Sequence, residues 1–363
     1  MKRIFVLSNN LNGLFCFRRE LIERMLDQGF SVTISAPKDD ERATYFASKG
    51  CEIIETRVNS TGKSLKEDSC LFFFYLNLLK KLRPNVVLTY TIKPNLYGGL
   101  ACRLLKIKQI ANVTGLGVVF EKESLLRKFV AGLYRLCMKK AAVVFFQNKD
   151  NLQFALSHRM TGENSVLIPG SGVNLEYHSF KPYPEKEPLR FIFISRLIKE
   201  KGIDLFVDSA RIIKQKYPDA EFHIIGKMMD SYKDIIREYE EKKIVIYHGF
   251  HRDIRPFIEK CHCTVHPSYY PEGMSNVLLE SCAAGRPVIT TDRPGCREIV
   301  EDGVTGYIVK PKDLDDLKEK MVVFINQPYE DKQRMGLNAR EKVAREFSRE
   351  IVTQAYMDAI NRL

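Results

Sequence analysis

The stretch PEGMSNVLLE, Pro271 to Glu280, places two glutamates eight positions apart on either side of a helix start. Gly273 lets the chain turn sharply after SYYPE. Ser275 and Asn276 follow, both residue types that begin helices. The N–H groups of such a first turn attract anions, phosphate among them. With a helical rise of 1.5 Å per residue, Glu272 and Glu280 come out on the order of 10 Å apart. That separation suits a ligand with hydroxyls at both ends and a charged middle, such as a nucleotide sugar. On its own the stretch reads equally well as a helix with a favourable acidic start and a solvated glutamate beyond it.

A second constellation bears on the choice. FISRLIKEKGI carries Arg196 and Lys201, five residues apart after a buried strand. An arginine fork and a lysine point charge can converge on one anion, or can both be solvated cations. Two other motifs suggest metal. In KDLDD, Asp313 and Asp315 spell D-x-D, but the apolar positions Leu314, Leu317 and Met321 make this the start of a helix, with an aspartate cap. CHCTVH offers Cys261, His262, Cys263 and His266, but it alternates like a strand and adjacent ligands would face opposite ways. No metal site is expected from either.

The elements that must position these residues follow from periodicity. RIFVLSN is a strand that ends in a polar loop containing Gly13, and helical spacing then runs through Phe17, Leu21, Ile22, Met25 and Leu26. FSVTISAP, CEIIET, NVVLTYT, QIANVTG, AVVFFQN and SVLIPGSGVN continue the alternation of apolar strands and helices. LEYHSFKPYPEKEP, Leu175 to Pro188, has three prolines and many charges and reads as a linker. LRFIFISR, AEFHIIG, IVIYHGF, CTVHPS, PVITTD and GYIV then resume the pattern. The expectation is an α/β protein: two Rossmann-like doubly wound domains, residues 1–180 and 181–363, facing across a cleft.

Composition agrees with two soluble domains: 363 residues, 45% hydrophobic and 28% charged, with no repeat of fixed period. MKRIFVLSNN has too short an apolar run for a signal core or a membrane span, so a cytoplasmic location is expected. The nine scattered cysteines read as reduced, mostly buried side chains. A net charge of +12 favours anionic partners without choosing among them.

FISRLIKEKGI, the run from HPSYYPEGMSNVLLE to DGVTGYIV, and the two-domain plan resemble the retaining glycosyltransferases of family 4, which have the glycosyltransferase-B fold. The resemblance covers essentially the whole chain and is strongest from Phe191 to Val309. It implies that Arg196 and Lys201 hold the donor diphosphate, that Glu272 contacts hexose hydroxyls and that Glu280 holds the ribose. Backbone amides around Met274, Ser275 and Asn276 would meet the phosphates, and Gly249 and Phe250 would border the base. Gly13 falls where the family lets backbone approach the diphosphate, although many relatives have two glycines there and this chain has NNLNG. The resemblance also implies chemistry without a metal cofactor, and a last helix, about 348–361, packed back on the N-terminal domain.

On the acceptor side the chain is similar to a subgroup acting in capsule, O-antigen or lipid-linked glycan synthesis, through Thr114 and Gly115 of NVTGLGVVF and through TYTIKPN. Lys93 of the latter is either a cation for an acceptor phosphate or a loop lysine ahead of a proline. In SLLRKFVAGLYRLCMKKAAVVFF, Arg127, Lys128, Arg135 and Lys139 share one helical arc, while Leu126, Phe129, Val130, Leu133, Leu136 and Cys137 fill the other. Such a helix, within residues 124–146, is either an ordinary core-facing helix or one that lies on the anionic cytoplasmic face of an inner membrane.

The leading expectation is therefore a retaining transferase moving a hexose or N-acetylhexosamine from a UDP-sugar to an undecaprenyl diphosphate-linked saccharide. A UDP-sugar 2-epimerase of the same fold is the alternative enzyme. A nucleic-acid-binding module has less behind it, because the basic residues are dispersed and no aromatic platform is evident.

Overall fold

The computed structural model describes residues 1–56, 65–120 and 123–363. Two compact units emerge: Met1–Ser171 with Glu350–Leu363, and Gly172–Arg349. The first contains β1 (Arg3–Leu7), α1 (Leu11–Asp27), β2 (Ser31–Ala36), α2 (Asp40–Ser48), β3 (Glu52–Glu55), α3 (Leu65–Leu82), β4 (Val86–Tyr90), α4 (Gly99–Leu105), β5 (Lys108–Val113), α5 (Leu125–Met138), β6 (Val143–Phe146), α6 (Lys149–Ser157) and β7 (Ser165–Leu167). Its strands form one parallel sheet in the order β3-β2-β1-β4-β5-β6-β7. β4 is buried along its whole length, as a strand covered on both faces must be.

The second unit continues with β8 (Arg190–Ile194), α7 (Ile203–Lys214), β9 (Glu221–Ile225), α8 (Lys233–Glu241), β10 (Ile246–Tyr247), α9 (Arg255–Lys260), β11 (Cys263–His266), α10 (Asn276–Ala283), β12 (Val288–Thr291), β13 (Gly306–Val309), α11 (Leu314–Asn326) and α12 (Tyr329–Glu346). Its sheet, again parallel, runs β10-β9-β8-β11-β12-β13. Phe191, Phe193, Phe206, Phe222 and Phe324 build its core, with the Phe191 and Phe222 rings stacked at 5.5 Å. α13 (Arg349–Asn361) returns to the first unit, burying Val352, Tyr356, Met357 and Ile360 among the side chains of its sheet.

Several local expectations are corrected. The division between units falls at Ser171/Gly172, not at 180/181, and Leu175 to Pro188 is no free linker. Tyr177 stacks under the Arg255 guanidinium at 3.7 Å, and the Tyr183 hydroxyl donates to His262 O at 2.9 Å. These contacts tie the proline-rich segment to the second unit. Gly13 is not in a loop but in the first turn of α1, where its N–H donates to the Asn10 cap, and a Cβ would sit 2.8 Å from that cap oxygen. Lys93 is not in a loop either. It lies in a helical segment, Ile92 onward, that passes into a π-turn at Pro94–Gly98, and its ammonium lies 2.9 Å from Asp68 of α3.

α5 is turned differently from the pattern's apolar arc. Tyr134, Cys137 and Met138 face the core, whereas Phe129 and Leu136 face outward. Arg127, which the pattern puts on the outer arc, is half-buried, packing on Phe154 and pairing with Glu123 at 2.7 Å.

Asp313 does cap α11, accepting from Asp316 N at 3.0 Å, a contact worth about 1 kcal/mol. In CHCTVH the His262 Nδ1 accepts from Arg190 N at 3.0 Å, which fixes the proton on Nε2 for donation to Glu185 O. Of the nine cysteines, Cys16 and Cys70 are exposed, the other seven are buried, and all are free thiols. No helix among the described residues is long and apolar enough to cross a membrane.

Candidate active site in the Gly172–Arg349 unit

β8 and β11 are neighbours in the sheet although β9 and β10 lie between them in sequence, because the chain winds to one side after β8 and to the other after β11. The crevice at the carboxyl ends of such a pair is where doubly wound sheets receive ligands. The chain leaving β8 carries Arg196 and Lys201. β11 ends at His266, and the chain leaving it carries the loop with Glu272, then α10.

The two loops are interlocked by backbone. Tyr269 N donates to Glu200 O at 2.9 Å. From β12, the Thr290 hydroxyl donates to His266 O at 2.8 Å and steadies the root of the second loop. Gly202 has a φ of +77°, and a Cβ there would collide with Pro267 O, so only glycine lets the Lys201 turn approach the other loop. Ser275 N donates to Gly295 O at 2.7 Å, which closes the Glu272 loop from the other side.

Lys201 and Glu272 meet inside this frame, the ammonium donating directly to Glu272 Oε1. The pair is largely buried, with side-chain exposures of 12% and 14%. Burial lowers the Lys201 pKa to about 8, with the Cys296 thiol opposing and Arg196 adding to the shift. The bonded carboxylate stabilises the charged form, so the ammonium persists at neutral pH. The Tyr270 ring lies 5.1 Å from Lys201 Nζ. Beneath them His266 is 2% exposed, its Nε2 is 3.8 Å from Glu272 Oε1, and neither ring nitrogen has a hydrogen-bond partner among the described residues. Burial and the Lys201 charge push its pKa down to about 3, so the ring is neutral. Arg196 is exposed and pairs with no carboxylate among the described residues, which leaves its fork available.

α10 begins at the same place. Ser275 occupies its N-cap position but its side chain makes no capping hydrogen bond, unlike the caps of α1, α2, α5, α6 and α11. The first-turn N–H groups at Asn276 and beyond therefore remain available for an anion. Met274 is buried against the core and so offers no side chain to a ligand. Glu280 lies further along α10 with its carboxylate 3.9 Å from His178 Nε2, and burial raises its pKa to about 7, with Arg349 opposing. Beyond β10, Gly249 takes a φ of +81° and Phe250 is 66% exposed, a ring with a free face.

The structure thus brings Lys201, Glu272 and the start of α10 together and places Arg196 beside them. In the first unit, Thr114 is exposed and Gly115 takes a φ of +134° just after β5, while Lys93 is engaged with Asp68. Sequence reading weighed His266 only as a metal ligand and missed Gly202 and Gly295. The available signals were the position of His266 at the carboxyl end of a strand and the glycines directly following KEK and RP.

Comparison with known proteins places this arrangement. Residues 176–342 match the family model for glycosyl transferases group 1, and residues 4–148 match that for glycosyl transferase 4-like domains. A solved structure of Anabaena Alr3699/HepE in complex with UDP superposes with a TM-score of 0.80 over 100% of both chains at 16% identity. The architecture is the glycosyltransferase-B fold, two parallel-sheet α/β domains. The chain belongs to the group 1 glycosyl transferases with a 4-like N-terminal domain. Among its relatives are the N,N'-diacetylbacillosaminyl-diphospho-undecaprenol alpha-1,3-N-acetylgalactosaminyltransferase of Campylobacter jejuni, 26% identical over 99% of each chain, and the capsular polysaccharide biosynthesis glycosyltransferase CapM of Staphylococcus aureus, 26% identical over 79% of this chain and 81% of that one.

Proposed function

We propose that this glycosyltransferase moves a hexose or N-acetylhexosamine from a UDP-sugar to an undecaprenyl diphosphate-linked saccharide, with retention of configuration and without a metal ion. The observation that carries the reading is the convergence of Lys201, Glu272 and the uncapped start of α10 at the β8/β11 switch point. The relative from Campylobacter jejuni supports the lipid-linked acceptor, and the UDP complex of the structural neighbour supports the nucleotide.

In this reading the α10 amides, Arg196 and Lys201 bind the diphosphate and offset the charge that grows on it as the anomeric C–O bond breaks. Glu272 accepts from hexose hydroxyls, and Glu280 accepts from the ribose. The acceptor hydroxyl forms the new anomeric C–O bond on the face the diphosphate leaves, and its proton passes to a departing phosphate oxygen. His266, neutral and buried, keeps the floor beneath Lys201 polar without adding charge.

A thermal-shift screen with UDP-, GDP- and ADP-sugars tests the nucleotide, because a ligand that binds only the folded state raises its stability. Stabilisation by UDP-sugars, an axial-to-axial transfer seen by NMR, and turnover unchanged by EDTA are the expected results. A 2-epimer formed from UDP-sugar without acceptor would overturn the transferase reading.

Glu280 predicts a pH dependence. The free carboxyl is protonated below about 7, whereas two ribose hydroxyls favour the ionised form, so binding releases a proton on the acid side. UDP affinity therefore falls as pH drops below that point, approaching about tenfold per pH unit. Calorimetry across this range should show the limb in the native protein and its absence in Glu280→Gln.

A further inference from the structure

α5 turns an apolar line away from the protein. Leu125 is 84% exposed, Phe129 60% and Leu136 39%. At 3.6 residues per turn the three fall within about 40° of arc. Lys128, Arg135 and Lys139 run along one edge of that line, all exposed, and Lys140 lies on the other edge. From 125 to 140 there is no acidic residue. The opposite arc is fixed to the core by Tyr134, Cys137 and Met138, and Arg103 of α4 donates to Leu136 O, so the outward face is held in place.

An ordinary surface helix shows the reverse arrangement, with charge at the centre of its outer face and apolar groups toward the core. Here the most exposed positions are apolar and the cations stand beside them. That arrangement suits a surface whose interior is apolar and whose outer layer is negative. Leu125, Phe129 and Leu136 would enter the acyl boundary while the lysine stems extend their ammonium groups to headgroup phosphates. We infer that the outer face of α5 docks on an anionic lipid bilayer. An acidic protein groove is the other surface with this complementarity, but a convex helix face fits a plane better than a cleft. The inference stands on this surface and is independent of the sugar chemistry; a lipid-linked acceptor would make the docking useful.

The test is co-sedimentation of the full chain with vesicles of phosphatidylcholine alone and of phosphatidylcholine mixed with phosphatidylglycerol. The native protein is expected to partition onto the mixed vesicles and much less onto the neutral ones, with binding weakened by salt. Lys128→Gln and Lys139→Gln should each reduce binding about fivefold. Leu125→Glu combined with Phe129→Glu should abolish it. These side chains are exposed, so thermal unfolding and UDP binding should stay unchanged, and UDP binding reports separately on the proposed donor site. Absence of binding to mixed vesicles, equal binding by the double glutamate variant, or binding confined to an acidic protein would overturn the inference.

Discussion

Arg286→Met is expected to destabilise the Gly172–Arg349 unit by about 4 kcal/mol and to lower its melting temperature by about 10 °C. Arg286 is completely buried, yet no carboxylate is among its hydrogen-bond partners. Its guanidinium donates instead to six carbonyls. Nε reaches Ile258 O at 3.2 Å and Cys261 O at 3.1 Å; Nη1 reaches Lys181 O and Ala284 O, each at 2.8 Å; Nη2 reaches Pro182 O at 2.9 Å and Glu259 O at 2.6 Å. Ile258, Glu259 and Cys261 are at the carboxyl end of α9, and Ala284 follows α10, so one side chain satisfies the orphan acceptors of two helices and favours both dipoles. Methionine fills the volume but leaves those acceptors facing an apolar group. Arg286→Lys keeps the charge with fewer donors in the wrong geometry and should recover only part of the loss. Calorimetric unfolding checks the order native, lysine, methionine; a methionine variant as stable as the native protein would refute the account.

Lys201→Ala is expected to reduce kcat by a factor of about 10² to 10³, the usual effect of removing one group that stabilises developing charge. It should also weaken UDP binding, because Glu272 would then lie largely buried beside the diphosphate without its ammonium. The pair makes this separable. Glu272→Gln added to Lys201→Ala removes the stranded negative charge, so the double variant should bind UDP better than Lys201→Ala alone while remaining slow. Such non-additivity is what two side chains in contact produce. Titration calorimetry and steady-state rates on the four proteins complete the cycle, and a Lys201→Ala protein with native affinity and rate would remove this lysine from the site.

The strands were legible in the sequence because parallel strands buried on both faces read as continuous apolar runs, RFIFI and VVLTY being clear cases. The cap at Asp313 was legible because capping is local. So were Lys201 and Glu272 as ligand-binding types, but their direct pairing was not, since it joins residues 71 apart through two interlocked loops. Arg286 sits in AGRP, and nothing local announces six carbonyls brought from three segments. For α5 the helical period gave the arcs but not the rotation. An arc of Phe129, Val130, Leu133 and Leu136 looks like a core stripe until the buried Tyr134, Cys137 and Met138 show which way the helix faces. The pairing of Lys93 was illegible for a similar reason, its partner Asp68 belonging to α3.

The contact between Lys201 and Glu272 also bears on turnover. In the empty protein each neutralises the other, so a small anion that engages only the lysine must leave the carboxylate buried without a partner. In the proposed reading, a donor carrying both phosphates and sugar hydroxyls would replace both halves of the contact at once, which would give whole donors an advantage over stray phosphate. After such a transfer the nucleotide would keep the phosphates but no longer supply hexose hydroxyls, and Glu272 would be free to reclaim the ammonium. Re-formation of that bond would then help expel the spent nucleotide, so the same two side chains that admit the donor would reset the enzyme for the next one.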